Sequence, residues 1–365
     1  MTMPELYLIL ITGIYIAQVG VFLYGLRRTK DNTSSVGVPF VSVIIAARNE
    51  EATLPHCLDS LTQQIYPRDR FEVIVANDGS TDRTNDICDH YAKSHSHVHS
   101  FITVENPNLP GKPNALSQAI ERAAGEVIMI TDADCIVPPT WIESTAKRYS
   151  PEVGLVGGMT LQRSANAFEG MQSLDWAYIL GVASASAALD RPLGSIGNNL
   201  SFRRKAYDEV GGYARIKFSI TEDYSLVQAI LGTKRWKFLY PLDENLLVES
   251  LPCPTIRSLI QQKHRWGKGG LDMKFWGFVI MAVGFSMHAA LLWNLMWFGL
   301  ASTGVALLLK MIADYVFLFR ILDRLKRTDE IKSFYWFELY YTLYVLALPF
   351  LVFFGGKVKW KGRLY

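Results

Sequence analysis

"EVIMITDADC", residues Glu126–Cys135, opens with a run of apolar residues (Val127, Ile128, Met129, Ile130), passes through Thr131 and ends on two aspartates separated by one alanine. The first half has the length and side chains of a strand buried on both faces. Asp132 and Asp134 stand at its exit. Two carboxylates roughly 5 Å apart at an effective dielectric near 20 repel by about 3 kcal/mol. Nothing within this stretch offsets that repulsion.

Upstream, the same pattern repeats. Phe40–Ala46 ("FVSVIIA") and Phe71–Ala76 ("FEVIVA") read as short buried strands, and Phe101–Glu105 as another. Between them, Glu51–Gln64 carries Leu54, Cys57, Leu58 and Leu61 at helical spacing. Asp82–Lys93, opened by Ser80 or Asp82 as a cap, and Asn114–Ala124 are further helices. Strands alternating with helices predict an α/β fold with a mostly parallel sheet covered on both faces. Ligands of such sheets lie outside the carboxyl ends of the strands. Polar motifs fall at those ends: Arg48-Asn49-Glu50-Glu51, then "NDGSTD" (Asn77–Asp82), then Asp132-Ala133-Asp134. "NDGSTD" alone could be only a turn and a helix cap. Acids at three strand exits are harder to account for that way.

A dinucleotide-binding module would place G-x-G-x-x-G after the first strand, where this chain has "ARNEEA", and no G-x-x-x-x-G-K-[ST] occurs. Lys112 of "PGKPNAL" could meet a phosphate or a nearby acid, or stay solvated. The net charge of +3 is too small to argue for nucleic acid. Cys57, Cys88, Cys135 and Cys253 are far apart, which fits a reduced, cytosol-facing domain without a disulfide framework or zinc site. His95, His97 and His99 of "HSHVH" alternate as strand residues would, but no carboxylate cluster accompanies them, so they read as loop histidines rather than metal ligands.

Both ends of the chain are apolar. Leu6–Leu26 has the length of a membrane helix and is followed by Arg27, Arg28 and Lys30, the reverse of a cleaved signal, so it reads as a retained anchor with its C-terminal end in the cytoplasm. Phe275–Trp297 and Gly299–Phe319 read as a hairpin, and Phe334–Phe354 as a further span. Lys310, Asp314 and Glu338 interrupt these runs. Four spans would leave the basic tail (Lys357, Lys359, Lys361, Arg363) outside, against the positive-inside rule. Ala167–Ala188, with Asp175 and Trp176, reads as an amphipathic region rich in small residues, either a packing helix or a segment lying under the membrane and shaping the acceptor site. The expected domains are residues 1–30 as anchor, 38–274 as cytoplasmic domain and 275–365 as a membrane region of two or three helices.

"VSVIIAARNEE", "VIVANDGSTD", "GKPNAL" and "GEVIMITDADC" resemble, in order and spacing, the motifs of family 2 glycosyltransferases. "GNNLSFRR", "VGGY", "TEDYSL" and "QQKHRW" continue the resemblance over about residues 38–270. It implies a GT-A nucleotide-sugar-binding fold flanked by transmembrane helices, in a multi-pass protein of the cell membrane with a cytoplasmic catalytic domain. It implies Mg²⁺ or Mn²⁺ held by Asp134 and Asp132, and donor contacts by Ala47, Arg48, Glu50, Asp78, Lys112 and Asp132. Asp223 of "TED" matches the catalytic base, with Glu222 beside it. On its own, "TED" could be a helix start capped by Thr221. Gln262, Arg265 and Trp266 match the Q-x-x-R-W residues that meet the diphosphate and the acceptor. Taken by position they could instead anchor a helix among lipid headgroups. The implied activity is inverting transfer from a nucleotide-diphosphate sugar, a UDP-sugar by preference, to a membrane lipid. A synthase extruding a glycan is the alternative, and an inactive membrane scaffold the last.

Overall fold

A computed structural model of the chain describes residues 3–29, 37–217, 219–297, 300–357, 359–360 and 363–364. Lys30, Gly299 and Lys361, which enter the membrane expectations above, lie outside the described residues. The chain forms two compact units: residues 29–161 with 194–251, and residues 1–28 with 162–193 and 252–365.

The first unit is built on a seven-stranded sheet. Its strands are β1 (Val41–Ala47), β2 (Phe71–Asn77), β3 (Val98–Ile102), β4 (Val127–Asp132), β5 (Val153–Gly157), then, after a short β6 (Thr160–Gln162) outside it, β7 (Leu200–Arg203) and β8 (Lys237–Leu239). They lie in the order β3-β2-β1-β4-β7-β5-β8. All neighbours are parallel except where β7 runs antiparallel between β4 and β5. The period of two along each strand divides the core. Val41, Val43, Ile45, Val73, Val75, Val127 and Met129 pack with Leu54, Leu58, Leu61 and Trp141. Ile44, Ile74, Ile128 and Ile130 pack on the other face with Leu116, Ala119 and Ile120. Both faces are thus dry, which is why these strands read as continuous apolar runs. Gly125 leads into β4 where a Cβ would stand 2.5 Å from the Ser42 amide nitrogen, and its own N–H donates to Ser42 Oγ at 2.8 Å.

The third strand starts three residues earlier than Phe101. Val98, buried opposite Val73, anchors it, while Ile102 and Val104 of the expected strand are exposed. His99 therefore lies in a strand, with Nε2 3.9 Å from Glu72, and His97 packs its ring on Phe71.

The second unit is helical. Long helices span Met3–Arg28, Ala167–Ala188, Ile256–Gly269, Phe275–Trp297, Leu300–Arg324 and Phe334–Phe354. Ala167–Ala188 is buried around most of its circumference instead of being amphipathic. Its small residues permit that: a Cβ on Gly181 would meet Ile321, and one on Gly170 would meet Ser333. Among the described residues, three helices are long and apolar enough to cross a membrane: Met3–Arg28, Phe275–Trp297 and the one within Thr328–Phe354. Lys310 and Asp314 lie within the apolar run of the helix Leu300–Arg324. Both are fully buried, with the Lys310 ammonium 3.0 Å from Asp314 and 2.5 Å from Glu338. Tyr15 donates to Asp314 at 2.8 Å. A set of helices that seal these charges inside explains how they sit within apolar sequence.

Candidate active site

Register decides which acids meet. Ala46 of β1 stands opposite both Ala76 of β2 and Asp132 of β4, and Ala47 opposite Asn77. The parallel strands therefore release Arg48, Asp78 and Asp132 at one edge. The Asp78 N–H donates to the carbonyl of Ala47 at 2.8 Å. Arg48 Nη1 donates to the Asp78 carbonyl at 2.8 Å and lies 3.9 Å from its carboxylate. Thr103 Oγ1 donates to Asp78 Oδ1 at 3.3 Å.

The loops after β1 and β2 are cross-linked. Asn49 takes a positive φ of 54°, which turns its side chain so that Oδ1 accepts from the Thr81 N–H at 2.8 Å. The Asn49 N–H donates to Ser80 Oγ at 3.0 Å, and the Glu50 N–H to Thr84 Oγ1 at 2.8 Å. The Glu50 carboxylate accepts from Thr53 Oγ1 at 2.8 Å. "NDGSTD" is thus a turn whose polar groups also fix "RNEE". Asp82 accepts from the Thr84 N–H at 3.0 Å, at the start of the helix Thr84–Ser94.

The centre of the constellation is Lys112, the first residue of the helix Lys112–Arg122. The preceding Gly111 has φ 77°, a conformation that favours glycine. The Lys112 ammonium lies 2.6 Å from Asp132 Oδ1 and 3.4 Å from Glu222 Oε1. Burial opposes that charge, but Asp132 and Glu222 outweigh it and hold the ammonium above the ordinary lysine range. Of the three sequence readings of Lys112, the structure shows the acid contact, with two acids at once.

Glu222 and Asp223 open the helix Glu222–Gly232. Thr221 precedes it without a side-chain capping bond, and its hydroxyl instead meets Ser219 at 3.2 Å. Asp223 Oδ1 accepts from the Tyr224 N–H at 2.8 Å. Burial, then the neighbouring Glu222 charge, push the Asp223 carboxyl up to about 7, against the Tyr224 amide, the Lys112 ammonium and the Gly197 amide. Gly197 lies against that carboxylate; a Cβ there would stand in ordinary contact with it, at 3.4 Å.

Asp134 lies just past β4, with Cys135 Sγ 3.6 Å from its Oδ1. Cys57 lies beneath the same acids: its Sγ reaches the Asp132 carbonyl at 3.5 Å. Burial, then the charges of Asp134, Asp132 and Glu50, raise its thiol. Among the described residues no group of three or more His, Cys, Asp or Glu is arranged to enclose a metal ion. The hard oxygens of Asp132 and Asp134 fit a cation that takes its remaining ligands from phosphate and water, as Mg²⁺ and Mn²⁺ do.

Gln262, Arg265 and Trp266 belong to the helical unit, on Ile256–Gly269, whose start is fixed by a reciprocal Thr255–Ser258 capping box. Trp266 packs on Trp176, ring centroids 5.3 Å apart. Lys263, which the sequence reading passed over, is 2% exposed and pairs with Asp175, itself 0% exposed. Eighty-eight positions separate the pair, so no local pattern could have joined them.

A mostly parallel sheet with this strand order and acids at its carboxyl edge is the GT-A fold. The same fold is seen in a mannosyltransferase from Pyrobaculum calidifontis solved with GDP-Man and Mn²⁺, which matches with a TM-score of 0.63 at 20% identity over 97% of this chain and 100% of that one. The chain belongs to glycosyl transferase family 2, whose model matches residues 42–223. It is 30% identical over 250 residues to the poly-β-1,6-N-acetyl-D-glucosamine synthase of Staphylococcus epidermidis, covering 65% of this chain and 56% of that protein. It is 28% identical over 253 residues to a β-monoglucosyldiacylglycerol synthase of Nostoc sp., covering 67% and 52%. The matches thus span little more than half the length of these relatives.

Proposed function

We propose that the chain transfers a sugar, with inversion, from a nucleotide-diphosphate sugar, a UDP-sugar by preference, to a membrane lipid acceptor. The observation that carries this reading is the Lys112 bridge between Asp132 and Glu222, beside a carboxylate whose pKa suits a general base. In this reading Asp78, Arg48, Glu50 and the Ala47 backbone hold the nucleoside. Asp134 and Asp132 hold Mg²⁺ or Mn²⁺, and Lys112 adds a positive charge beside them. A divalent cation held there would supply positive charge against the departing diphosphate. Asp223 accepts the proton of the attacking hydroxyl, and such a base contributes about 10²–10⁴ in rate. Glu222 keeps Lys112 in place. The family resemblance, rather than any distance, supports assigning Arg265 to the diphosphate and Trp266 to the acceptor.

The three apolar helices found among the described residues support a membrane-bound enzyme, and Arg27 and Arg28 at the end of the first support residues 38–274 as its cytoplasmic catalytic domain. A relative named as a β-monoglucosyldiacylglycerol synthase favours a lipid acceptor. The relative named as an N-acetylglucosamine polymer synthase favours the second reading, a glycan-extending synthase.

The test incubates the purified protein with Mn²⁺, a panel of UDP- and GDP-sugars and a membrane lipid extract, with Asp223→Asn as control. One added hexose on a lipid is the expected product mass. A polymer ladder would replace the first reading by the second. No product with any donor, or equal turnover by the variant, would remove the proposal.

A further inference from the structure

The helix Ile256–Gly269 presents Gln262, Arg265 and Trp266 from one side, and between them in sequence stands Lys263, which turns inward. Its ammonium meets the Asp175 carboxylate of the helix Ala167–Ala188. It also lies over two aromatic rings, 4.3 Å from the centroid of Trp266 and 5.1 Å from that of Tyr344. Asp175 receives a second hydrogen bond on the same oxygen, Oδ2, from the Tyr340 hydroxyl at 3.2 Å. Its other oxygen, Oδ1, is buried and has no hydrogen-bond partner among the described residues. Trp176, the next residue along, packs on the other ring of the set, Trp266.

A buried ion pair is a poor means of adding stability, because desolvation takes back much of its Coulombic gain. What it does supply is direction. The ammonium faces Asp175 and the two rings while the plane of the Trp266 indole lies across its path. An indole turned away would lose the cation on its face and its contact with Trp176 together. The carboxylate is in turn aimed by Lys263 and Tyr340.

We propose that Asp175 and Lys263 are positioning residues, a buried ion pair that fixes the Trp266 indole, and with it the turn bearing Arg265, in the orientation used for sugar transfer. The proposal rests on the assignment of Trp266 and Arg265 in the reading above.

Removing one partner alone would leave a buried charge and could unfold the protein, so the test removes both. Full-length Asp175→Asn/Lys263→Met is prepared beside wild type in detergent, each labelled with 5-fluorotryptophan. The Trp266 ¹⁹F line is identified by its loss in Trp266→Phe. The expected result is a thermal midpoint close to wild type, a Trp266 line that splits or broadens as the indole samples several orientations, and a kcat lowered about 10- to 100-fold at saturating donor. A purely structural role would move the midpoint and leave the kcat of the folded protein and the line shape alone. A single narrow Trp266 line in the double variant overturns the proposal, and so does an unchanged kcat. If wild type transfers no sugar at all, the proposed function fails, while the line shape still decides whether the pair fixes the indole.

Discussion

At the residue scale the informative group is Asp223, a carboxyl held near the pH at which a base must work. With Asp223 as the proposed base, its protonation should set the acidic limb of the rate profile. The rate should fall as pH drops through about 7, measured as kcat/KM across pH 5 to about 9. The limb also reports on Lys112, which favours the ionised carboxylate. Lys112→Met should move it to higher pH; an unmoved limb would show that the ammonium has no hold on the base. Linkage gives a separate check. The folded pKa of Asp223 lies above the ordinary carboxylate value near 4, so the native state loses stability as pH rises from there through about 7. Asp223→Asn removes that loss. The variant should unfold at a higher temperature than wild type at pH 8 and at the same temperature near pH 4, read by a thermal melt. A gain in stability together with a loss of turnover separates a catalytic role from a structural one.

At the element scale the loops after β1 and β2 behave as one piece. Asn49 joins them, with a left-handed backbone that few side chains adopt and an amide that accepts from Thr81. Asn49→Ala loses both advantages and should cost about 1–3 kcal/mol. Asn49→Gly restores the backbone alone and should recover part of that. Donor-nucleotide affinity, measured by calorimetry, should follow the same order, because Asp78 and Glu50 are held by these loops. The strand expectations near this edge held to within a residue or two for β1, β2 and β4. The third strand lies earlier than expected because the apolar residues of "VHSFITV" (Val98, Phe101, Ile102, Val104) keep no clean period of two, and only the pairing of Val98 with Val73 selects its register. Thr221 looked like a cap for the same kind of reason: its place in "TED" is right, but Ser219 takes its hydroxyl.

At the scale of the whole molecule, the charges sealed in the helical unit are its most consequential contacts. Lys310 serves both Asp314 and Glu338, from two helices. Lys310→Met leaves two acids facing each other without a cation, and should destabilise by about 3–5 kcal/mol, seen as a large fall in the thermal midpoint in detergent. Lys310→Met combined with Glu338→Gln should be milder. Equal melting of wild type and Lys310→Met would show that the charge is solvated after all.

The sequence by itself determined the alternation of strands and helices, the strand exits at which the acids gather, the family, and the apolar helices at both ends. Each of these is written in local patterns of period two, of helical repeat or of unbroken hydropathy. Only the tertiary structure decided what the acids meet. Asp132 and Glu222 stand ninety positions apart, and Asp175 and Lys263 nearly as many. The pairings depend on the register of β1 with β4 and on which helix faces are buried. A charge's partner is set by distance in space, and local sequence carries no record of it. The repulsion at "DADC" therefore found its first offset in a lysine twenty residues upstream, which the sequence had shown only as a lone cation in a loop.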